Sequence, residues 1–254
     1  MRPTRCILFD CDNTLCLTEG RAAEAARALL LEICEKHGVS DAPDTVDRVL
    51  LESVGKNFRG ILASLQERYG LVFTEQEIDA YVHLEMTLVT RKLQQKCDPC
   101  PGAPQQLAWA KQRGYEMAVV STSAAKRLEV TLLAAGIGRF FAPGQVYSAV
   151  DSLPLPTPKP DPAIYEYACK RLEKDPSECV AIEDSVSGAL AASAAKIPLI
   201  GYVGAIGIDH GQEKMEEAAA VLQEKCGAAV IMYDWDEFPK CLKQIETLRL
   251  SGDL

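Results

Sequence analysis

Residues 5–15 read RCILFDCDNTL: an apolar run, Ile7 to Phe9, passes directly into two aspartates, Asp10 and Asp12, with Asn13 and Thr14 behind them. Like charges this close resist desolvation unless a cation sits beside them. The run has strand character over residues 5–9, but the chain does not go on to build a sheet at once. From residue 16 to about 98 the periodicity is helical. RAAEAARALLLEICEKHG places Ala22, Ala26, Leu29, Leu30 and Ile33 on one face and closes at Gly38, and NFRGILASLQERYG repeats the spacing with Phe58, Ile61, Leu62 and Leu65. Thr74 and Glu77 form a capping-box pair ahead of a third helix, which runs through Ile78, Tyr81 and Val82 toward Leu93.

At CDPCPGAP, residues 97–104, proline and glycine end the helical pattern, and short apolar strands begin to alternate with helices. The candidate strands start at Tyr115, Gln145, Glu178, Ile197 and Ala228. Such alternation predicts an α/β fold: a doubly wound, mostly parallel sheet with right-handed crossovers, its first strand separated from the others by an all-helical insert. The expected division is core over 1–15, helical insert over 16–98 and the remaining core over 99–254.

Hydrophobic residues at 48% and charged residues at 25% of 254 are those of a soluble protein, and no apolar run is long enough for a membrane helix. With no basic, apolar leader at the N-terminus, a cytoplasmic location is expected. A formal net charge of −9 argues against broad contact with nucleic acid, which is bound by neutralising phosphates. A monomer or weak homo-oligomer without membrane partners is expected. Ten irregularly spaced cysteines suggest reduced thiols, and the CxxC at Cys97 and Cys100 lacks a second pair for zinc and reads as an incidental loop.

Ligands of open α/β sheets sit outside the carboxyl ends of the strands. The first strand ends in Asp10 and Asp12, the second in Ser121, Thr122 and Ser123, and the CVAI strand in Glu183 and Asp184. Lys159 stands in PTPKPDP before a helix marked by Asp161 as N-cap and Pro162 in its first turn. Singly, each has an ordinary reading: a turn for the aspartates, a helix cap for Ser121, a solvated loop lysine, a dipole-favoured acidic pair at 183–184. Together and in this order they predict an oxygen-rich group, Asp10, Asp12 and Asp184, neutralised by Mg²⁺. Lys159 and the Ser121 hydroxyl would then surround a transferring phosphoryl group. Asp10 is the expected nucleophile, forming an aspartyl-phosphate, and Asp12 the expected acid and base.

FDCDNTL, VVSTS, the lysine of KPDP and IEDSVSGALAA together resemble the four motifs of the haloacid dehalogenase superfamily, over nearly the whole chain. The nearest branch by resemblance is that of β-phosphoglucomutase and small sugar-phosphate phosphatases. The resemblance implies a Rossmann-like core with a small helical cap, Asp10 as nucleophile and Asp12 as acid/base with its main-chain carbonyl on Mg²⁺. It also implies Asp184 as metal ligand, Glu183 behind the metal or bound through water, and Ser121, Thr122 and Lys159 on phosphate. Asn13 stands where many relatives carry glycine, and asparagine tolerates unusual backbone angles.

Dehalogenases proper lack the second aspartate, so Asp12 points to phosphate chemistry. Ala22 occupies the position where the mutase subgroup tends to carry histidine, which favours hydrolysis over a mutase reaction. LTEG and VGKNFRG resemble the cap root and the cap's specificity loop, making Glu19, Lys56, Asn57 and Arg59 candidate substrate contacts. The expected substrate is a small phosphate monoester: a sugar, sugar-acid or polyol phosphate. A sugar-phosphate mutase is the alternative within the class; a phospho-accepting signalling module or a non-catalytic binding protein are the alternatives outside it. His37, His83 and His210 are expected in structural or solvated roles, and GAIGIDHG as a loop that borders the site.

Overall fold

The computed structural model describes residues 3–53 and 56–252 of the chain, so Val54 and Gly55 of the VGKNFRG stretch lie outside the described residues. The apolar run forms β1 (Cys6–Phe9), buried at every position. Two short segments that bracket the insert in sequence, β2 (Cys16–Leu17) and β3 (Asp98–Pro99), pair antiparallel, so the chain departs and returns side by side. The other strands are β4 (Glu116–Ser121), β5 (Val146–Ser148), β6 (Cys179–Glu183), β7 (Leu199–Tyr202) and β8 (Val230–Met232). With β1 they make a six-stranded sheet in the order β5-β4-β1-β6-β7-β8, parallel throughout. The strand order reverses at β1, so the switch-point crevice opens at the carboxyl end of the strand carrying Asp10.

Both faces of this sheet are covered. Cys6 and Leu8 join Ala118, Val120 and Ala181 in a cluster with Ile164 and Ala168 of α7 (Ala163–Arg171) and Ala189 and Ala192 of α8 (Val186–Ala194). From the opposite face the Phe9 ring meets Phe141, Trp235 and Phe238, at centroid distances of 6.1, 6.0 and 6.4 Å. Burial on both sides is why the strands read as continuous apolar runs rather than as alternation.

The chain divides into two compact units, residues 19–96 and residues 1–18 with 97–254. Among the described residues the helical unit contains four helices, α1 (Glu19–Lys36), α2 (Ala42–Glu52), α3 (Phe58–Tyr69) and α4 (Glu75–Gln95), and α5 (Ala103–Gln112) follows in the other unit. Its core collects Leu29, Leu30, Ile33, Val46, Val49, Leu62, Leu65 and Phe73. The capping box at the fourth helix forms: the Thr74 hydroxyl accepts from the Glu77 amide at 3.2 Å, and the Glu77 carboxylate accepts from the Thr74 amide at 2.8 Å.

Two local expectations are corrected. GAIGIDHG forms a helix over Gly204–His210 instead of a loop. Glycine serves close packing there: a Cβ on Gly204 would lie 2.5 Å from the Tyr233 carbonyl, and one on Gly207 2.6 Å from Met215 Sδ. The helix after Lys159 begins one residue beyond Pro162, and Asp161 supports it through an Oδ1 that accepts from the Ala163 amide at 2.9 Å. All ten cysteines are buried free thiols, and Cys100 lends its Sγ to the Asn13 carbonyl at 3.7 Å. Among the described residues no helix is long and apolar enough to cross a membrane.

Candidate active site

The site grows from the carboxyl ends of β1, β4 and β6. The Asp10 amide continues the sheet ladder, donating to the Ile182 carbonyl at 3.0 Å, and this fixes its side chain at the strand edge. Asn13 then turns the chain in the left-handed region at φ 55°, a conformation that asparagine adopts more readily than most residues. Its side-chain oxygen accepts from the Thr18 amide at 3.2 Å, closing the loop. The turn brings Thr14 back toward β6, where its hydroxyl donates to Asp184 Oδ1 at 3.2 Å.

Lys159 is the cationic centre of the group. Its Nζ donates to Asp10 Oδ1 at 2.7 Å, Glu183 Oε1 at 2.5 Å and the Val120 carbonyl at 2.8 Å, using all three ammonium protons. The Tyr165 hydroxyl reaches the same Glu183 oxygen at 2.6 Å. Burial acts against the lysine's charge, but the flanking Asp10 and Glu183 carboxylates outweigh it and hold the ammonium above its ordinary range.

Asp10, Glu183 and Asp184 each offer a carboxylate oxygen within 4.8 Å of the others. Burial first, then the neighbouring acids, push the Asp10 carboxyl up to about 7 despite Lys159, and raise Asp184 well above the usual carboxylate range. Three carboxyl groups share one ammonium, so a further cation is needed for all three to carry charge together. Hard oxygen donors in that state suit a small divalent cation.

Asp12 faces a different set of partners. Its Oδ1 accepts from Arg127 Nη2 and its Oδ2 from the Ser123 hydroxyl, both at 2.7 Å. Burial works to raise this carboxyl, yet the Arg127 charge and hydrogen bonds from Ser123, Thr18 and Arg127 hold it below the ordinary value. The acid groups that converge are therefore Asp10, Glu183 and Asp184, with the Asp12 carboxylate turned to Arg127 rather than joining them.

Ser121, at the end of β4, is buried, and its hydroxyl accepts from the Ser123 amide at 3.1 Å; Thr122 beside it is exposed. Four expected substrate contacts belong to the helical unit. Glu19 opens its first helix; Asn57 caps the third by accepting from the Gly60 amide at 2.9 Å; Lys56 donates to the Ser64 hydroxyl at 2.7 Å; Arg59 pairs with Glu75 and Asp79. His37 lies edge-on to Phe73, His83 is in the fourth helix and His210 ends its own.

Thr14, Tyr165, Arg127 and Gly188 carry the site without having been singled out from sequence. Gly188 has a steric cause: a Cβ there would lie 1.8 Å from Glu183 Oε2. Gly188→Ala is thus expected to displace Glu183 from Lys159 and Tyr165. A loss of about 1–3 kcal/mol in denaturant unfolding, typical of an unpaired buried polar group, together with reduced activity, would check this.

A family model of haloacid dehalogenase-like hydrolases matches residues 4–196. The chain is 27% identical to a phosphoglycolate phosphatase of Pseudomonas fluorescens over 98% of its own length and 84% of that protein's. Among solved structures it is similar to a HAD family hydrolase of Deinococcus radiodurans with bound phosphate and sodium, at 26% identity, TM-score 0.69, and coverage of 96% of this chain and 97% of that one. A haloacid dehalogenase-like protein of Agrobacterium tumefaciens shares the fold at TM-score 0.70 and 23% identity, covering 96% and 99% of the two chains. The family match takes in β1 with Asp10, the helical insert, Lys159 and the Glu183–Asp184 pair, and on that basis the chain belongs to the haloacid dehalogenase-like hydrolase family.

Proposed function

We propose that the protein is a Mg²⁺-dependent phosphatase of small phosphate monoesters that works through an aspartyl-phosphate on Asp10. The observation that carries the reading is the buried contact of Lys159 Nζ with both Asp10 and Glu183, beside Asp184, at the switch point of the sheet. Asp10 and Asp184, with the Asp12 carbonyl, are the residues that would hold Mg²⁺, and the ion when bound supplies positive charge against the acids and the phosphate oxygens. Glu183 stays with Lys159 and Tyr165 and orients the lysine from behind.

Ser121 and Thr122 bind the phosphoryl oxygens in this reading, Lys159 keeps Glu183 and the Val120 carbonyl while exchanging its Asp10 contact for a phosphoryl oxygen, and Asp10 attacks phosphorus as the bond to the leaving alkoxide breaks. Asp12, which ends each turnover carrying a proton taken from water, gives that proton to the alkoxide of the next. It then takes one from the water whose oxygen bonds to phosphorus, releasing the Asp10 carboxylate and inorganic phosphate. The helical unit, residues 19–96 within the insert expected over 16–98, is assigned the choice of substrate, with Glu19, Lys56, Asn57 and Arg59 as its candidate contacts. The range proposed is sugar, sugar-acid and polyol phosphates. The relative named as a phosphoglycolate phosphatase supports including short acid phosphates in it.

A screen of phosphorylated metabolites, 2-phosphoglycolate among them, for phosphate release with and without Mg²⁺ tests the proposal. Release of phosphate over many turnovers from one or a few small monoesters is expected. Retention of a single equivalent on the protein would instead favour a phospho-accepting signalling module.

A further inference from the structure

We propose that Arg127 is the positioning residue that makes Asp12 an effective base in the second half of the reaction; this rests on the acid/base reading of Asp12 given above. Arg127 is the third residue of α6 (Ala125–Ala134). A basic side chain in the first turn of a helix runs against the helix dipole, so its placement there needs another cause. The geometry supplies one: Nη2 lies 2.7 Å from Asp12 Oδ1, while Nε of the same guanidinium is buried with no hydrogen-bond partner. The arginine leaves a buried donor unpaired and keeps the contact with Asp12, although an orphaned donor of this kind is costly.

The anchor is fixed at both ends. The first amide of α6, that of Ala125, donates to Asp151 Oδ2 at 2.7 Å, and the Ser148 hydroxyl at the end of β5 holds the same oxygen at 3.1 Å. The helix start, and Arg127 with it, is thereby tied to the sheet. On the other side the Ser123 hydroxyl holds Asp12 Oδ2 at 2.7 Å, and the Ser123 amide is in turn held by Ser121 Oγ at 3.1 Å. Donors from one loop and one helix therefore set both oxygens of Asp12 and fix the orientation of the carboxylate that meets the water. In that step the water oxygen bonds to phosphorus, the phosphorus–oxygen bond to Asp10 breaks, and the water proton passes to Asp12. A carboxylate free to rotate would meet the water in the right geometry far less often.

The test uses p-nitrophenyl phosphate, whose leaving group departs without a proton, so its first turnover does not depend on Asp12. In rapid-mixing kinetics with Mg²⁺, Arg127→Met should release the first equivalent of nitrophenolate at the wild-type rate and then turn over on the order of tenfold more slowly, within the range of general base catalysis. Arg127→Lys should recover part of that loss. In an Asp12→Ala background Arg127→Met should cost nothing further, the mark of two residues acting as one unit. Arg127→Gln, which keeps a neutral donor, is measured beside them, so that a folding failure of the methionine variant leaves the test standing. Unchanged steady-state turnover in the Arg127 variants, or a first turnover that falls in step with it, would overturn the proposal. Turnover surviving in Asp10→Asn would instead overturn the underlying reading of the site, so the two failures are distinguishable.

Discussion

Asp10→Asn is expected to lower the turnover of any phosphate monoester the enzyme accepts by about 10⁴-fold or more, because loss of a nucleophile leaves only binding and electrostatic stabilisation behind. The fold should survive. Burial already penalises the charge of this side chain, pushing its carboxyl up to about 7, and asparagine keeps its shape without the charge. The Asp10 backbone bond to Ile182 and the contact of Lys159 with Glu183 do not require the carboxylate. Steady-state kinetics with circular dichroism on the same preparation check both halves: a folded, inactive variant is the expected result. A fall of only a few fold would mean that attack comes from elsewhere.

Removal of divalent metal is the second large effect. With a chelator in excess, turnover should drop to background and return when Mg²⁺ is restored, because Asp10 and Asp184 would otherwise repel both each other and the incoming phosphate. A readout independent of activity follows from the same charges. An ion that binds only the folded protein stabilises it, by about 2.7 kcal/mol at a hundredfold excess over its Kd. Thermal melts should therefore rise with Mg²⁺ for the wild type, and much less for Asp184→Asn, which gives up one of the donors. Melts that ignore Mg²⁺ in the wild type would count against the metal site.

The central strands were legible because they are buried on both faces, so an unbroken apolar run such as CILF or CVAI reads as a strand of this length in a covered sheet. What sequence could not show is short or locally weak. Two-residue strands such as Cys16–Leu17 are too brief to display a period. The helix over Ala42–Glu52 starts beside Asp41, which is left-handed at φ 55°, and carries Pro43, Thr45, Val46 and Val49. Weak helix formers hid it within a stretch read only broadly as helical.

In the site, residues whose charge is itself the signal were found: Asp10, Lys159, Glu183 and Asp184 stand together. Those that serve through shape or reach were not. Tyr165 reads as one more aromatic on a buried helix face until its hydroxyl is seen 2.6 Å from Glu183. Gly188 reads as a small residue in an alanine-rich helix until the carboxylate that fills the place of its side chain is seen. Asp12 stands one residue from Asp10's neighbour in sequence, yet the turn at Asn13 and the arrival of Arg127 from α6 direct its carboxylate away from the other acids. Only the long-range fold decides that direction.

The most direct measurement is to quench the enzyme during turnover of a labelled phosphate monoester with Mg²⁺ and locate the phosphoryl group by mass spectrometry of its peptides. A hydroxylamine-sensitive phosphate is expected on the peptide carrying Asp10, absent from Asp10→Asn and not formed when a chelator is in excess. Turnover with no phosphopeptide at all under trapping, or with the group on Ser121 instead, would contradict the aspartyl-phosphate on Asp10.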